Sequence, residues 1–497
     1  MPAIRAWSYI EKGFQYSVLF YTSSISVDNS AEENFILREL KVDEDGSRRA
    51  ERFRWSVQRD GVVVASRFVD IDRLSGRVCG GDMAFTSETT SIIDENLDIF
   101  ISFGFYEAPS VKWYGLPAEC LCYVTVSRLG TRWMGRAAPV GEPQAQKSFS
   151  RFVLPAPHDC GMNTMRNCEA LIKQMSPTAV VDILETAGWT TWITLLQGLG
   201  ELFKATIAYD AVYNVSVTQK DTFMDMLEAG ARYFEFRPAK NSTLFRTLST
   251  GSQYVGLPDR WYFQHALFPG DHLENFLDQV IAFLDDNQTE IVVLHLRWDN
   301  VHSTCLKPSG KEIEGLIDAA LKRSRTGIKR GCLADSARPI DDLRSRNMRH
   351  LVAIEAAKYD SYTSQAYQTL TSDTIVNAFE SMSHTEQLDT DLTVMQCQGT
   401  PQGKAEVLLS TIGSSPSNSP LLATKAMFDP VTLGWLSQKS NIERFDPDKL
   451  MIVMNDFIEV RPFPTVVQHN ELTKLKGATV STAIDMSLVR FGMEPFP

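Results

Sequence analysis

The sequence predicts an α/β protein: a TIM-type (β/α) barrel, with allowance for distortion, preceded by an N-terminal antiparallel β-sandwich. Three observations carry this. From residue 151 onward, short apolar runs alternate with segments of helical period, the pattern of a closed parallel sheet. The ionisable residues of those runs gather at their C-terminal ends, where such barrels present chemistry. Before residue 131, short runs rich in Val, Ile, Phe and Tyr follow one another, as in a sandwich.

Composition sets the limits. The 497 residues leave room for two to four domains, and 43% hydrophobic with 22% charged residues suits a protein that buries a large core. A net charge of −12 argues against a nucleic-acid partner, and leaves any peripheral membrane contact to local patches. Arg5, Glu11 and Lys12 interrupt the N-terminal apolar residues, so no secretory signal is expected. No apolar run reaches the length of a transmembrane helix. The eight cysteines are scattered, which suits free thiols in a reducing, cytoplasmic setting. The sequons at Asn214, Asn241 and Asn287 point the other way, but this many arise by chance in a chain of this length.

In the predicted sandwich (residues 1–131) the strand candidates are FQYSVLFYTSS, NFILRELKV, RFRWSVQRD, GVVVASRFVDID, DIFISFGFYE and CLCYVTVSRLG. Arg59 to Gly61 (RDG) reads as a hairpin turn. Cys120 and Cys122 share one face of the last run. Residues 132–150, rich in Gly, Pro, Ala and Gln, read as an interdomain linker. The barrel then occupies 151–497. Its expected strands are Phe152 to Leu154, Tyr233 to Phe236, Trp261 to Gln264, Ile291 to Leu296, Leu351 to Ile354, Thr374 to Ala378, Thr393 to Cys397 and Met451 to Asn455. Leu273, Phe276, Leu277, Val280, Ile281 and Leu284 mark one buried helical face. TIGSSPSNSP, residues 411–420, reads as a polar loop near the rim.

The strand ends carry the functional signal. FVLPAPHDCGM presents His158 and Asp159 beyond two prolines, with Gly161 letting the backbone turn away; ARYFEFR ends on Glu235 and Arg237; WYFQHALF on His265; EIVVLHLRWD on Arg297 and Asp299; LMIVMNDF on Asp456. Taken alone, each is an ordinary loop residue. Together, at equivalent ends of successive strands, they point to one shared site.

The ordered motifs HDCGM, AGARYFEFR, FQHALF, NFLDQVIAFLDDNQTEIVVLHL and MIVMNDF resemble the X domain of phosphatidylinositol-specific phospholipase C in its bacterial and fungal form. The resemblance runs from Phe149 to Phe496, about two thirds of the chain. It implies a phosphodiesterase in which a neighbouring hydroxyl of the substrate attacks phosphorus, since an intramolecular nucleophile is entropically favoured. The implied roles are His158 as base, oriented by Asp456; His265 as acid, kept protonated by Asp159; and Arg237 as the phosphate grip. Glu235, Arg297 and Asp299 would contact substrate, although Arg297 and Asp299 read equally well as a structural ion pair. An arginine at 237, where animal-type relatives carry a calcium-holding carboxylate, implies chemistry without metal or cofactor. Glycerophosphodiester phosphodiesterases use a Glu-x-Asp metal pair where this chain has Glu235-Phe-Arg237, and fit less well.

Three positions depart from the pattern: Cys160 for serine, Ala266 for glycine, and Glu235 for the bacterial aspartate. Cys160 is a poor nucleophile for a phosphodiester. Met162, Arg166, Trp261 and Tyr262 could shape a pocket unlike that for inositol, though core packing explains the two aromatics as well. The substrate is expected to be a phosphodiester lipid or small molecule. The alternatives are acid/base chemistry on a non-phosphate small molecule, as in a secondary-metabolite cyclase, or a catalytically silent binding protein.

Overall fold

The computed structural model describes residues 3–41, 49–83, 90–94, 99–108, 117, 119–128, 131–164, 166–167, 213, 216–219, 221–243, 257–364, 371–384, 390–399, 420–458 and 478–493. The first ten strands are β1 (Ala3–Ile10), β2 (Ser17–Tyr21), β3 (Ser26–Asn29), β4 (Arg38–Lys41), β5 (Ala50–Arg59), β6 (Val62–Asp72), β7 (Val78–Gly81), β8 (Thr90–Asp94), β9 (Ile99–Tyr106) and β10 (Cys120–Arg128). They form two five-stranded sheets, ordered β4-β1-β10-β9-β8 and β3-β2-β5-β6-β7. Ile4, Val18, Trp55, Val69, Phe103 and Val124 from both sheets meet in one core, the layering of a sandwich. The RDG turn is present: Asp60 and Gly61 have φ of 51° and 77°, both left-handed, and they join β5 to β6 with the twist that a two-residue hairpin requires. The sheets are not antiparallel throughout. β1 pairs with β10 in parallel, because the chain passes through the second sheet before returning beside its own start.

β9 is buried at every residue, which explains why its sequence is a continuous apolar run. One face meets the second sheet. On the other face of this sheet, Trp7, Tyr9, Tyr106, Leu121 and Tyr123 share a core with the rest of the molecule.

The remaining elements, in order, are α1 (Trp133–Ala137), β11 (Val153–Pro157), α2 (Phe223–Ala229), β12 (Tyr233–Phe236), β13 (Pro238–Ala239), β14 (Tyr262–His265), β15 (Phe268–His272), α3 (Leu273–Asp286), β16 (Val292–Leu296), α4 (Gly310–Leu321), β17 (Arg330–Cys332) and α5 (Ile340–Ser345). There follow β18 (His350–Ile354), β19 (Lys358–Asp360), α6 (Ser372–His384), β20 (Leu392–Gln396), α7 (Pro420–Leu436), α8 (Lys439–Ile442), β21 (Leu450–Asn455) and α9 (Ala478–Arg490). Residues 132–150 are packed rather than loose: Trp133, Met134, Ala137, Ala145 and Phe149 are fully buried beneath the starts of the parallel strands. The small residues there permit close approach. A Cβ on Gly135 would come 2.4 Å from the Thr289 hydroxyl.

The parallel strands are present, but among the described residues they do not close a ring. They form two four-stranded sheets, β11-β21-β20-β19 and β12-β16-β18-β17. The seam between them is the β11–β12 edge, where the Arg232 N–H donates to the Pro155 carbonyl at 3.0 Å. Pro155 lies inside β11, and Pro157 is its last residue. The Pro155 carbonyl faces β12, so its missing donor lies on the same side and the ladder to β21 stays whole. At the opposite edge, no pairing joins β19 to β17 or β18 among the described residues.

Two expected barrel strands sit elsewhere. The Trp261–Gln264 run forms β14, in a separate antiparallel sheet ordered β13-β14-β15. Thr374–Ala378 lies within α6, where Ile375, Ala378, Phe379 and Met382 make one buried helical face that overrides its β-branched residues. The helix expected from Leu273 is α3, with the predicted apolar face buried. The 411–419 stretch lies outside the described residues. The described cysteines are free thiols, and among the described residues no helix is long and apolar enough to cross a membrane.

Candidate active site

Parallel pairing puts the ends of β11, β12, β16 and β21 at one face of the molecule. His158 follows β11, Arg237 follows β12, and Asp456 follows β21. His265 comes to the same place by a different route, at the end of β14 in the antiparallel hairpin. Glycines make this approach possible. A Cβ on Gly161 would come 2.3 Å from Phe263 of the hairpin, and one on Gly270 would come 2.1 Å from the Gly161 carbonyl oxygen. Gly161 therefore serves close contact as well as the expected turn, which the Met162 N–H closes on the Asp159 carbonyl at 2.7 Å, and its own carbonyl accepts the Asp271 N–H at 2.8 Å.

His158 Nδ1 lies 2.8 Å from Asp456 Oδ1. Asp159 is the centre of the cluster: its Oδ1 accepts Arg237 Nη2 at 2.8 Å, and its Oδ2 lies 3.8 Å from His158 Nε2 and 3.7 Å from His265 Nε2. Asp159, Arg237 and Asp456 are buried, whereas the two imidazoles keep some contact with solvent. Asp159, Ala266 and Phe457, each directly after one of these strand-end groups, have φ of 43°, 56° and 46°. Left-handed backbone at non-glycine residues costs energy and persists where surroundings enforce it. Ala266 occupies such a position where glycine would be unstrained.

The charges set different proton affinities. Burial works against a charged His158, but Asp159 and Asp456 outweigh it and raise the pKa above the ordinary imidazole value. His265 moves the other way: burial lowers it, and Arg237 and His158 add to that against the pull of Asp159. The expected pull of Asp159 on the His265 proton is present, but it does not offset burial together with Arg237 and His158. Burial opposes ionisation of Asp159, yet Arg237 and the histidines hold it at about 2. Burial raises Asp456, with His158 opposing.

Glu235, Arg297 and Asp299 are brought together beside this cluster as a chain of ion pairs. Arg297 Nη1 reaches Glu235 at 2.9 Å, its Nε pairs with Asp299, and Lys358 Nζ reaches Glu235 at 3.2 Å. Burial would raise Glu235, but Lys358 and Arg297 hold its carboxyl well below the usual range. Cys160 is buried and donates to the Glu235 carbonyl at 3.0 Å. Burial, with Asp159 and Glu235, pushes its thiol well above the ordinary value, which removes it as a nucleophile. Trp261 and Tyr262 are both buried, and the Tyr262 hydroxyl donates to the Pro258 carbonyl. Met162 is buried and Arg166 is exposed.

Several residues that hold the site were not anticipated. Thr218 Oγ1 donates to the His158 carbonyl at 2.9 Å, and Gln219 Nε2 bridges the carbonyls of His158 and Asn455, both at 3.1 Å. They lie in a short polar stretch with no period to reveal it. The Tyr362 ring stands edge-on to His158, with centroids 6.3 Å apart. Lys425 and Asp429 form a buried pair on α7 at 2.8 Å; here the signal was visible, as opposite charges four residues apart in an apolar helix. Among the described residues no group of three or more His, Cys, Asp or Glu is placed to hold a metal ion.

No family model and no curated protein matches the chain. Among solved structures it is similar to a phosphatidylinositol-specific phospholipase C from Listeria monocytogenes, at 13% identity and a TM-score of 0.38, covering 72% of this chain and 98% of that one. A phosphatidylinositol-specific phospholipase C from Staphylococcus aureus gives 11% identity and a TM-score of 0.38, with 71% and 97% covered. Likeness at this level decides neither activity nor substrate.

Proposed function

We propose that this chain is a phosphodiesterase of the phospholipase C type, which opens a phosphodiester through a free hydroxyl on the substrate's own alcohol to give a cyclic phosphate. The observation that carries this reading is one buried carboxylate, Asp159, flanked by both imidazole Nε2 atoms and by Arg237. His158, held through Nδ1 by Asp456, takes the hydroxyl proton as the new O–P bond forms. His265 gives its proton to the leaving oxygen as the old P–O bond breaks. Arg237 supplies a fixed positive charge and a planar fork of donors for the phosphoryl oxygens, so the step needs no metal there.

The protein's own charges and burial favour a proton on His158 over His265, the reverse of these roles. A phosphate resolves this. When its oxygens take the Arg237 donors, Asp159 is released, and its charge then holds His265 protonated. On this reading residues 151–497 are the catalytic unit, a TIM-type scaffold whose β19 and β17 edges are unpaired among the described residues, with residues 1–131 as the sandwich. Glu235, Arg297 and Asp299 would meet the substrate's alcohol from adjoining strand ends.

The test is phosphorus NMR of the purified protein with phosphatidylinositol and with glycerophosphodiesters, in EDTA and then in calcium. A cyclic phosphate signal is expected in EDTA and should vanish in His158→Ala. Silence on every phosphodiester from folded protein overturns the reading and leaves acid/base chemistry on a non-phosphate molecule.

A further inference from the structure

Lys425 is a buried cation in an apolar helix. Its Nζ donates to Asp429 Oδ2 at 2.8 Å and to the Asp456 carbonyl at 3.2 Å. Asp429 Oδ1 accepts from Asn455 Nδ2 at 2.8 Å, and Asn455 Oδ1 accepts the Asp456 N–H at 2.9 Å. The peptide that carries Asp456 is thus held from both sides, through its carbonyl by Lys425 and through its N–H by Asn455. Asp456 in turn holds His158. The charged groups facing His158 are Asp159, Asp456 and Arg237, with His265 across Asp159.

The sandwich covers this arrangement. The Lys425 ammonium lies 5.8 Å from the ring centroid of Tyr123 on β10. Tyr123 stacks on Trp7 at 5.1 Å, and Trp7 Nε1 donates to the Ala426 carbonyl at 2.8 Å, one residue from Lys425. A Cβ on Gly104 of β9 would come 2.6 Å from the Tyr123 ring, so a glycine in the neighbouring strand lets that ring lie flat. A buried ion pair rarely adds stability over apolar residues of the same volume, and its retention here calls for a geometric reason.

We propose that Lys425 and Asp429 are positioning residues for the His158–Asp456 pair, and that the sandwich, through Tyr123 and Trp7, clamps them from behind. The inference rests on the role given above to His158. It makes the sandwich part of the catalytic apparatus rather than an appended binding module.

The charge-balanced double variant Lys425→Met/Asp429→Leu removes the clamp without leaving a lone buried charge. Heteronuclear NMR titration of the imidazoles needs no substrate. It should show the His158 midpoint lowered toward the ordinary imidazole value, while turnover falls roughly tenfold to a hundredfold at nearly constant KM. Lys425→Arg, which keeps charge and donors, should restore both. Tyr123→Leu, in the sandwich and outside the reacting groups, should shift His158 in the same direction by less, and it carries the test if the double variant does not fold. An unmoved His158 midpoint in folded variant protein overturns the proposal. A moved midpoint in protein that turns over no phosphodiester keeps the clamp and overturns the reaction instead.

Discussion

Strand β12 carries an arginine at each end, and the two are in opposite situations. At the lower end Arg232 is fully buried. Its Nε and Nη2 meet Glu290 Oε2 at 2.9 and 2.8 Å, and its Nη1 meets the Leu227 and Ala231 carbonyls at 2.6 and 2.7 Å. Nη2 also donates to the Thr131 carbonyl, and the Phe283 ring lies 4.6 Å from the guanidinium. Glu290 Oε1 accepts the Gly135 N–H at 3.1 Å. At the upper end Arg237, also buried, pairs with Asp159, while its Nε has no hydrogen-bond partner among the described residues. The same residue type on one short strand is thus saturated below and under-used above. Burial alone does not mark function; unspent donors facing a shared carboxylate do.

The largest effect is expected from breaking the lower pair. Arg232→Ala strands the buried Glu290 charge and should cost about 3–5 kcal/mol of unfolding free energy, read from urea titration. Turnover per folded molecule should be unchanged. Next, Arg237→Ala should lower kcat on a phosphodiester by roughly a hundredfold to a thousandfold, with a smaller loss of stability than Arg232→Ala. Equal stability losses at the two sites would erase the distinction. A third test concerns a neutral group at the base. Burial pulls His350, at the start of β18, from the ordinary 6.5 down to about 4. The unfolded chain therefore takes up this proton first as pH falls. Stability should drop between about pH 6.5 and 4, by up to about 3 kcal/mol from this group, and level off below. His350→Leu should flatten that slope in urea midpoints measured across the range.

Much of this was legible in the chain because it is local. ARYFEFR followed by proline reads as a strand end, Asp60-Gly61 reads as a hairpin, and the face from Leu273 to Leu284 reads as a helix, since each signal sits within a few residues. The shared polarity of the parallel strand ends pointed to one common site, whereas the pairing of His158 with Asp456 within it was implied only by the family resemblance. What stayed hidden depends on distant partners. Whether β19 pairs with β17 or β18 has no local signature, and neither has the return of β1 beside β10. Thr374 to Ala378 misled because β-branched residues weigh toward strand until a buried helical face outweighs them. His265 reached the expected place from an unexpected sheet. The lowered proton affinity of His265 stayed hidden for the same reason: it comes first from burial and then from Arg237, 2.8 Å from the carboxylate of Asp159, and both depend on distant packing.

Gly161 and Gly270 have a consequence beyond this one molecule. A side chain at Gly270 would meet the Gly161 main-chain carbonyl, an obstacle that no substitution elsewhere removes, whereas one at Gly161 would meet the Cβ and ring of Phe263. Gly270 is therefore fixed by backbone, and Gly161 by the residue at 263. Among relatives that keep the hairpin docked beside the first histidine, Gly270 should therefore persist, Gly161 should change only together with residue 263, and the loss of Gly270 would mark a branch in which the second histidine has left the site.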